Sequence, residues 1–226
     1  MPVLSSVFVT AAGLNLISSL ITLVSFAAFA IVAFYVFRLS LPPKYPTDVP
    51  WKISGGMIII ALILFIRLVM IIYSLYVMDV WGPDFWGSLG SRFEESQVWV
   101  LKVVIVLEIV LNTFLITATG FMILLFFKTR DIFPTVFMIV LISQEIFVLA
   151  DEAGVSLLFG QLNAQSITAM MPKCIGRWLV VGLMIWYVRG SNRSVHTFVL
   201  PHSSLIHEDD ADFLLDLEEE SKKGAF

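Results

Sequence analysis

Charge is what this chain has least of. Only 14 % of its 226 residues are Asp, Glu, Lys or Arg, where a soluble domain carries roughly 25 %. That shortage argues against a coiled coil and against a disordered chain. One cysteine, Cys174, excludes an internal disulfide, a CxxC redox pair and a cysteine-rich metal site. No lysine or arginine precedes Arg38, so the basic start of a secretory signal is missing and the first apolar run is expected to be a retained span. Basic residues form no patch large enough for nucleic acid. The sequence also lacks GxSxG, HExxH, Walker A and dinucleotide fingerprints.

Apolar residues make up 58 % of the chain, and the mean hydropathy is +0.92. They fall in runs longer than a soluble core helix needs, which predicts an all-α polytopic membrane protein. Five transmembrane helices are expected: residues 15–37, 53–77, 98–127, 132–149, and a fifth ending at Val188 whose start is obscured by Pro172, Lys173 and Arg177. Residues 151–171 read as a surface or re-entrant helix. The linker holding Pro42, Pro43, Pro46 and Pro50 excludes a continuous helix. Trp81, Phe85 and Trp86 have the character of interfacial aromatics. Arg38, Lys44, Lys52, Lys128, Arg130, Arg189 and Arg193 all fall on one side of a five-span arrangement. The positive-inside rule then places the N-terminus outside and the C-terminus in the cytoplasm.

Four charges interrupt the spans: Arg67, Glu108, Glu145 and Arg177. Each unpaired charge at mid-span costs at least ~2.5 kcal/mol. Their sum is zero, and Arg67 with Glu108 and Glu145 with Arg177 is one natural pairing. Asn112 lies one turn from Glu108 on the same face and joins this intramembrane charge set, or bonds helix to helix. Three readings fit it: a structural network, a polar cavity for an ion, proton or amphipathic ligand, and snorkelling of the outermost charges.

The tail is different in kind. Eight acidic residues and two lysines between residues 208 and 223 give it a charge of −6 out of a total of −4, so the remainder is +2. Phe213, Leu214 and Leu217 share one helical face opposite the acidic one, which suits a partner groove better than anionic lipid. A disordered solubilising tail is the plainer alternative. His196, His202 and His207 match no metal-site spacing, so no metal and no cofactor are expected. Cys174 has no activating base and reads as an inert thiol.

From the second span onward, a set of motifs is shared with one family. Gly55-Gly56 opens that span, with Met57 where tryptophan is common. Glu108, Asn112 and Phe126-Phe127-Lys128 follow, and Phe133-Pro134 opens the next helix. The most specific match is Trp186-Tyr187 followed by Ser191-Asn192-Arg193-Ser194-Val195-His196-Thr197-Phe198-Val199, with Asn192 replacing a lysine and Ser194 inserted. These residues resemble the bacterial inner-membrane proteins grouped as domain of unknown function 2569 (DUF2569). The resemblance implies a four-helix unit over residues 53–199 in the bacterial inner (cytoplasmic) membrane. Residues 1–52 then form an added N-terminal helix with a proline-rich loop, and residues 200–226 an acidic cytoplasmic tail. It further marks the segment holding Arg193 and Phe198 as a packing or partner-docking motif.

The leading expectation is therefore a non-catalytic accessory, assembly or regulatory subunit. It would sit among membrane lipids and other integral membrane subunits, docking through Phe213, Leu214, Leu217, Arg193 and Phe198. The alternative is a small transporter, channel or lipophilic-ligand-binding protein built on Arg67, Glu108, Asn112, Glu145 and Arg177. An enzyme ranks third, because no polar loop cluster is displayed.

Overall fold

The computed structural model describes residues 15–39, 51–92, 95–158 and 164–200. Among these the chain is helical, with one isolated β-bridge and no strand. The helices are α1 (Leu16–Phe37), α2 (Gly56–Val77), α3 (Phe85–Arg92), α4 (Glu95–Phe127), α5 (Phe133–Leu158), α6 (Ala164–Gly190) and α7 (Asn192–Thr197). A 3-10 turn, Asp79–Trp81, joins α2 to the segment before α3. Four helical segments are long and apolar enough to cross a membrane: Leu16–Phe37, Gly56–Val77, Gln97–Phe127 and Phe133–Gly154. The fifth expected segment falls within α6, one continuous helix of 27 residues running through Pro172; α6 is not among these four.

Two expected boundaries move. The fourth apolar run continues past residue 149, so α5 reaches Leu158 with 26 residues, about 39 Å at 1.5 Å per residue. The separate helix expected over residues 151–171 is divided instead between the end of α5 and the start of α6. Its mild hydropathy reflects the polar end of one helix and the polar start of the next.

Helix α4 is the axis of the bundle, packing against α1, α2, α3 and α5, while α6 packs on α5. The larger apolar core lies toward one end, and a smaller one of Val80, Leu89, Ile105 and Ile109 lies toward the other. In the larger core Met57, Leu64, Met122, Leu125, Phe126, Phe133, Phe137 and Val188 are buried together. Elsewhere the helices present Leu, Ile, Val and Phe outward, as lipid-facing helices do.

Each end of α1 is fastened by polar bonds rather than by a deep apolar face. At its start, Asn15 Oδ1 accepts from Ile17 N and Ser18 N, capping the helix. Asn15 Nδ2 donates to the carbonyls of Gly82 and Pro83. Ser18 Oγ donates to the Val80 carbonyl at 2.7 Å and accepts from Trp86 Nε1 at 3.0 Å. Trp81 Nε1 donates to Leu75 O, so both expected interfacial tryptophans spend their N–H groups inside the fold.

At the other end, Arg130 Nη2 donates to the carbonyls of Phe37 and Leu39 at 3.1 and 3.0 Å. These carbonyls would otherwise be orphaned at the C-terminus of α1. The guanidinium also lies 5.1 Å from the Phe37 ring centroid. Arg130 is only 5 % exposed. Burial lowers its pKa from the ordinary value, and the Asp131 carboxylate acts against that shift.

The terminal motif closes the same end. Ser191 caps α7, and Ser194 Oγ donates back to the Val188 carbonyl. Phe198 packs between Phe126 and Phe133, with ring centroids 5.6 and 4.4 Å away. Leu200 pairs with Thr129 and Asp131 through backbone bonds. Trp51 stacks on His196 at 4.6 Å. Gly55 has φ +59, and a Cβ there would come within 2.8 Å of Arg193 Nη1. At Gly56 a Cβ would meet Tyr187 Cζ at 2.7 Å. The paired glycines thus let α2 approach the α6–α7 corner.

Replacing Arg130 with Met removes two charge-assisted bonds and is expected to cost about 3 kcal/mol. Thermal unfolding in mild detergent measures this. Arg38→Ala, at the exposed end of the same helix, should change stability by less than ~0.5 kcal/mol. Equal midpoints for Arg130→Met and the unmodified protein would show that the Arg130 end does not hold α1.

Candidate functional site

A charge inside an apolar bundle must find its partner within side-chain reach. The Arg130 end provides a common origin, because Gly56, Phe127, Phe133 and Gly190 all lie there. Counted from that end at 1.5 Å per residue, Arg67 stands about 17 Å up α2, Glu145 about 18 Å up α5 and Arg177 about 20 Å up α6. Ser74 and Asp151 stand at about 27 Å and Glu108 at about 29 Å by the same count. Glu152 stands at about 29 Å as well, so the two polar groups are told apart by their contacts: one gathers at Arg177 and reaches up to Glu152, and the other lines a cavity.

The first group is built around Arg177. Its Nε lies 3.3 Å from Glu145 Oε2, and its Nη1 donates to Glu152 Oε1 at 3.1 Å. Glu145 and Glu152 are seven residues apart, two turns along one face of α5, so one guanidinium reaches both. Its Nη2 also donates to Cys174 Sγ at 3.7 Å. Glu145 is buried. Arg67 approaches from α2, within electrostatic range of Glu145. Its buried Nε and Nη2 have no hydrogen-bond partner among the described residues, and neither has Glu145 Oε2.

The expected pair of Glu145 with Arg177 is thus present. Arg67 with Glu108 is not an ion pair; Arg67 faces Glu145 instead. The reason is geometric. Glu108 lies 19 residues from the Phe127 end of α4, whereas Arg67 lies only 11 residues from Gly56 at the same end of α2. Glu108 consequently stands beside Ser74, near the last turn of α2, about 12 Å above Arg67. Glu152 takes the place that Glu108 held in the expected charge balance. Sequence reasoning passed over Glu152 and Asp151 because it assigned them to a surface segment. The seven-residue spacing from Glu145 was the available signal.

The second group lines a cavity of about 380 Å³ between α2, α4 and α5. Its polar lining is Glu108, Asn112, Asp151 and Ser74, and its walls include Leu107, Leu111, Leu115, Phe147 and Val148. Glu108 and Asp151 lie within electrostatic range of each other. Asn112 Nδ2 donates to the Glu108 carbonyl, the i−4 bond along its own helix. Neither carboxylate has a basic side chain at ion-pair distance among the described residues. Ser74, Leu107 and Asp151 are exposed, so the cavity opens on the flank of the bundle.

The expected docking residues divide. Phe213, Leu214 and Leu217 lie outside the described residues. Phe198 is buried in the chain's own core, so it packs internally and presents no surface to a partner. Arg193 remains exposed on α7, beside Gly55. His196 is occupied by Trp51, and among the described residues no three His, Cys, Asp or Glu side chains converge as metal ligands.

Against known proteins, a family model described as "Protein of unknown function (DUF2569)" matches residues 50–199. No curated protein and no solved structure matches the chain.

Breaking one partner of a buried pair costs about 3–5 kcal/mol. Arg177 is a third exposed, so Glu145→Gln should destabilise the protein by less than that amount, whereas Glu108→Gln should leave stability nearly unchanged or raised. The double variant Glu145→Gln with Arg177→Gln should recover part of the loss. A double-mutant cycle on thermal unfolding measures the coupling. Additive effects would remove the Arg177 group as a structural unit.

Proposed function

The chain belongs to the DUF2569 family, whose members are described only as proteins of unknown function, and on that footing we propose that it is a non-catalytic, five-span membrane protein that binds a membrane-soluble ligand within its helices. The observation that carries this reading is the flank-opening cavity with two carboxylates and apolar walls. Ligand sites are mostly apolar with a few placed polar groups, and charged residues inside a membrane mark such sites by default. The lining residues include no histidine, cysteine or lysine, which favours binding over a reaction. The docking surfaces behind the accessory-subunit expectation are now fewer, because Phe198 is committed to the core.

Helix α6 supplies the fifth span in this reading. Its 27 residues are about 40 Å long, and its exposed Ile175, Leu179, Leu183 and Trp186 suit lipid. The charge of Arg177 is answered by Glu145 and Glu152, so it is no bar to spanning. Arg38, Lys52, Lys128, Arg130, Arg189 and Arg193 gather at one end, which supports an inner-membrane orientation with that end cytoplasmic and the N-terminus outside.

Native mass spectrometry of protein extracted from its own membranes tests the reading. The unmodified chain should retain a small membrane-soluble molecule at about one per chain. Leu111→Trp, which fills the cavity, should lose it while keeping its unfolding temperature. Identical bound species in both proteins, or none in either, would overturn the proposal.

A further inference from the structure

The Arg177 group is electrically closed: Arg67 and Arg177 are matched by Glu145 and Glu152. The cavity group is not. Glu108 and Asp151 face one cavity with no cation at ion-pair distance among the described residues. The two carboxylates carry like charge around one cavity and repel each other, and a positive group placed between them removes that repulsion.

Resting on the ligand-binding reading above, we propose that the cavity between α2, α4 and α5 recognises a single-chain amphiphilic amine, holding its ammonium between Glu108 and Asp151. Hydrogen-bond chemistry points the same way. Carboxylates only accept; Asn112 spends one of its two Nδ2 hydrogens on the Glu108 carbonyl and offers its Oδ1 as a further acceptor, and the Ser74 hydroxyl both donates and accepts, so acceptors outnumber donors in the lining. An ammonium has three donors and no acceptor. It is the complement of such a lining.

Height supplies the second argument. The carboxylates stand about 27–29 Å from the Arg130 end, which is where a ~30 Å hydrocarbon core gives way to the interface. Below them Leu111, Leu115 and Phe147 continue the wall toward the bilayer centre. A charged head therefore meets the carboxylates at interfacial depth while its chain lies along these apolar residues. The flank opening at Ser74 and Leu107 lets the chain arrive from lipid.

Other occupants fit less well. A hard metal ion takes six to eight oxygens or several waters, and the described residues bring no third acidic, His or Cys ligand. A fatty acid would add a third negative charge. A neutral lipid would leave the carboxylates uncompensated.

The test is equilibrium binding of radiolabelled dodecylamine, dodecanol and dodecanoate to the full chain in phosphatidylcholine nanodiscs, with empty nanodiscs subtracted. Dodecylamine should bind saturably, dodecanol more weakly, and dodecanoate not at all. Glu108→Gln and Asp151→Asn should each weaken the amine by about tenfold, the loss of one charge-assisted contact. Asp151 is exposed, so its variant carries the test if Glu108→Gln fails to fold. Dodecanol or dodecanoate binding as tightly as the amine would overturn the amine while leaving a ligand site in place. Saturable binding of none of the three would remove the site itself. Amine binding unchanged in both carboxylate variants would also overturn the assignment.

Discussion

A charge held in an apolar bundle has to be answered within side-chain reach, and in this protein Arg177 does most of the answering. It stands on α6 and reaches two carboxylates on α5 that are two helical turns apart. Arg67 on α2 leans on the same Glu145. The three helices, which share an apolar core nearer the Arg130 end, are thereby also tied together by charge farther along their length. The low dielectric around them makes each interaction strong and each unpaired member expensive. The unsatisfied Nε and Nη2 of Arg67 show that this group is matched in charge more closely than in hydrogen bonding.

The ends of the bundle solve a related problem for α1. That helix buries little of its surface, so position comes from directional bonds instead. Asn15 and Ser18 bind the Val80–Pro83 loop at one end, and Arg130 binds the terminal carbonyls at the other. The same Arg130 segment pairs with Leu200, after Phe198 has entered the core. One end of the protein is therefore a closed unit of α1, α5 and the α6–α7 corner. The cavity lies toward the opposite end.

Much of the fold is legible in the residues taken singly. Long apolar runs mark α1, α2 and α4 because an apolar stretch of about twenty residues has no economical place outside lipid. Thr129 with φ 47 and the Asp131 side chain, which accepts from Ile132 N, make the short turn that sequence placed between the third and fourth spans. Gly55 and Gly56 announce a close approach. The terminal motif announces itself by its spacing, though its burial does not follow from spacing alone.

The sequence by itself determined that this is an all-helical membrane protein, and that Glu145 and Arg177 must find counter-charges. Which residues answer them was decided only in three dimensions. Pairing depends on axial height, and height depends on where each helix begins and how far it overshoots its neighbours. Glu108 lies farther along α4 from the shared Arg130 end than Arg67 does along α2, and the extension of α5 brings Asp151 and Glu152 into the bundle. Phe126, Phe133 and Phe198 pack together at that shared end. A one-dimensional reading holds the charges but not their heights, so it balances the sum and misses the partners.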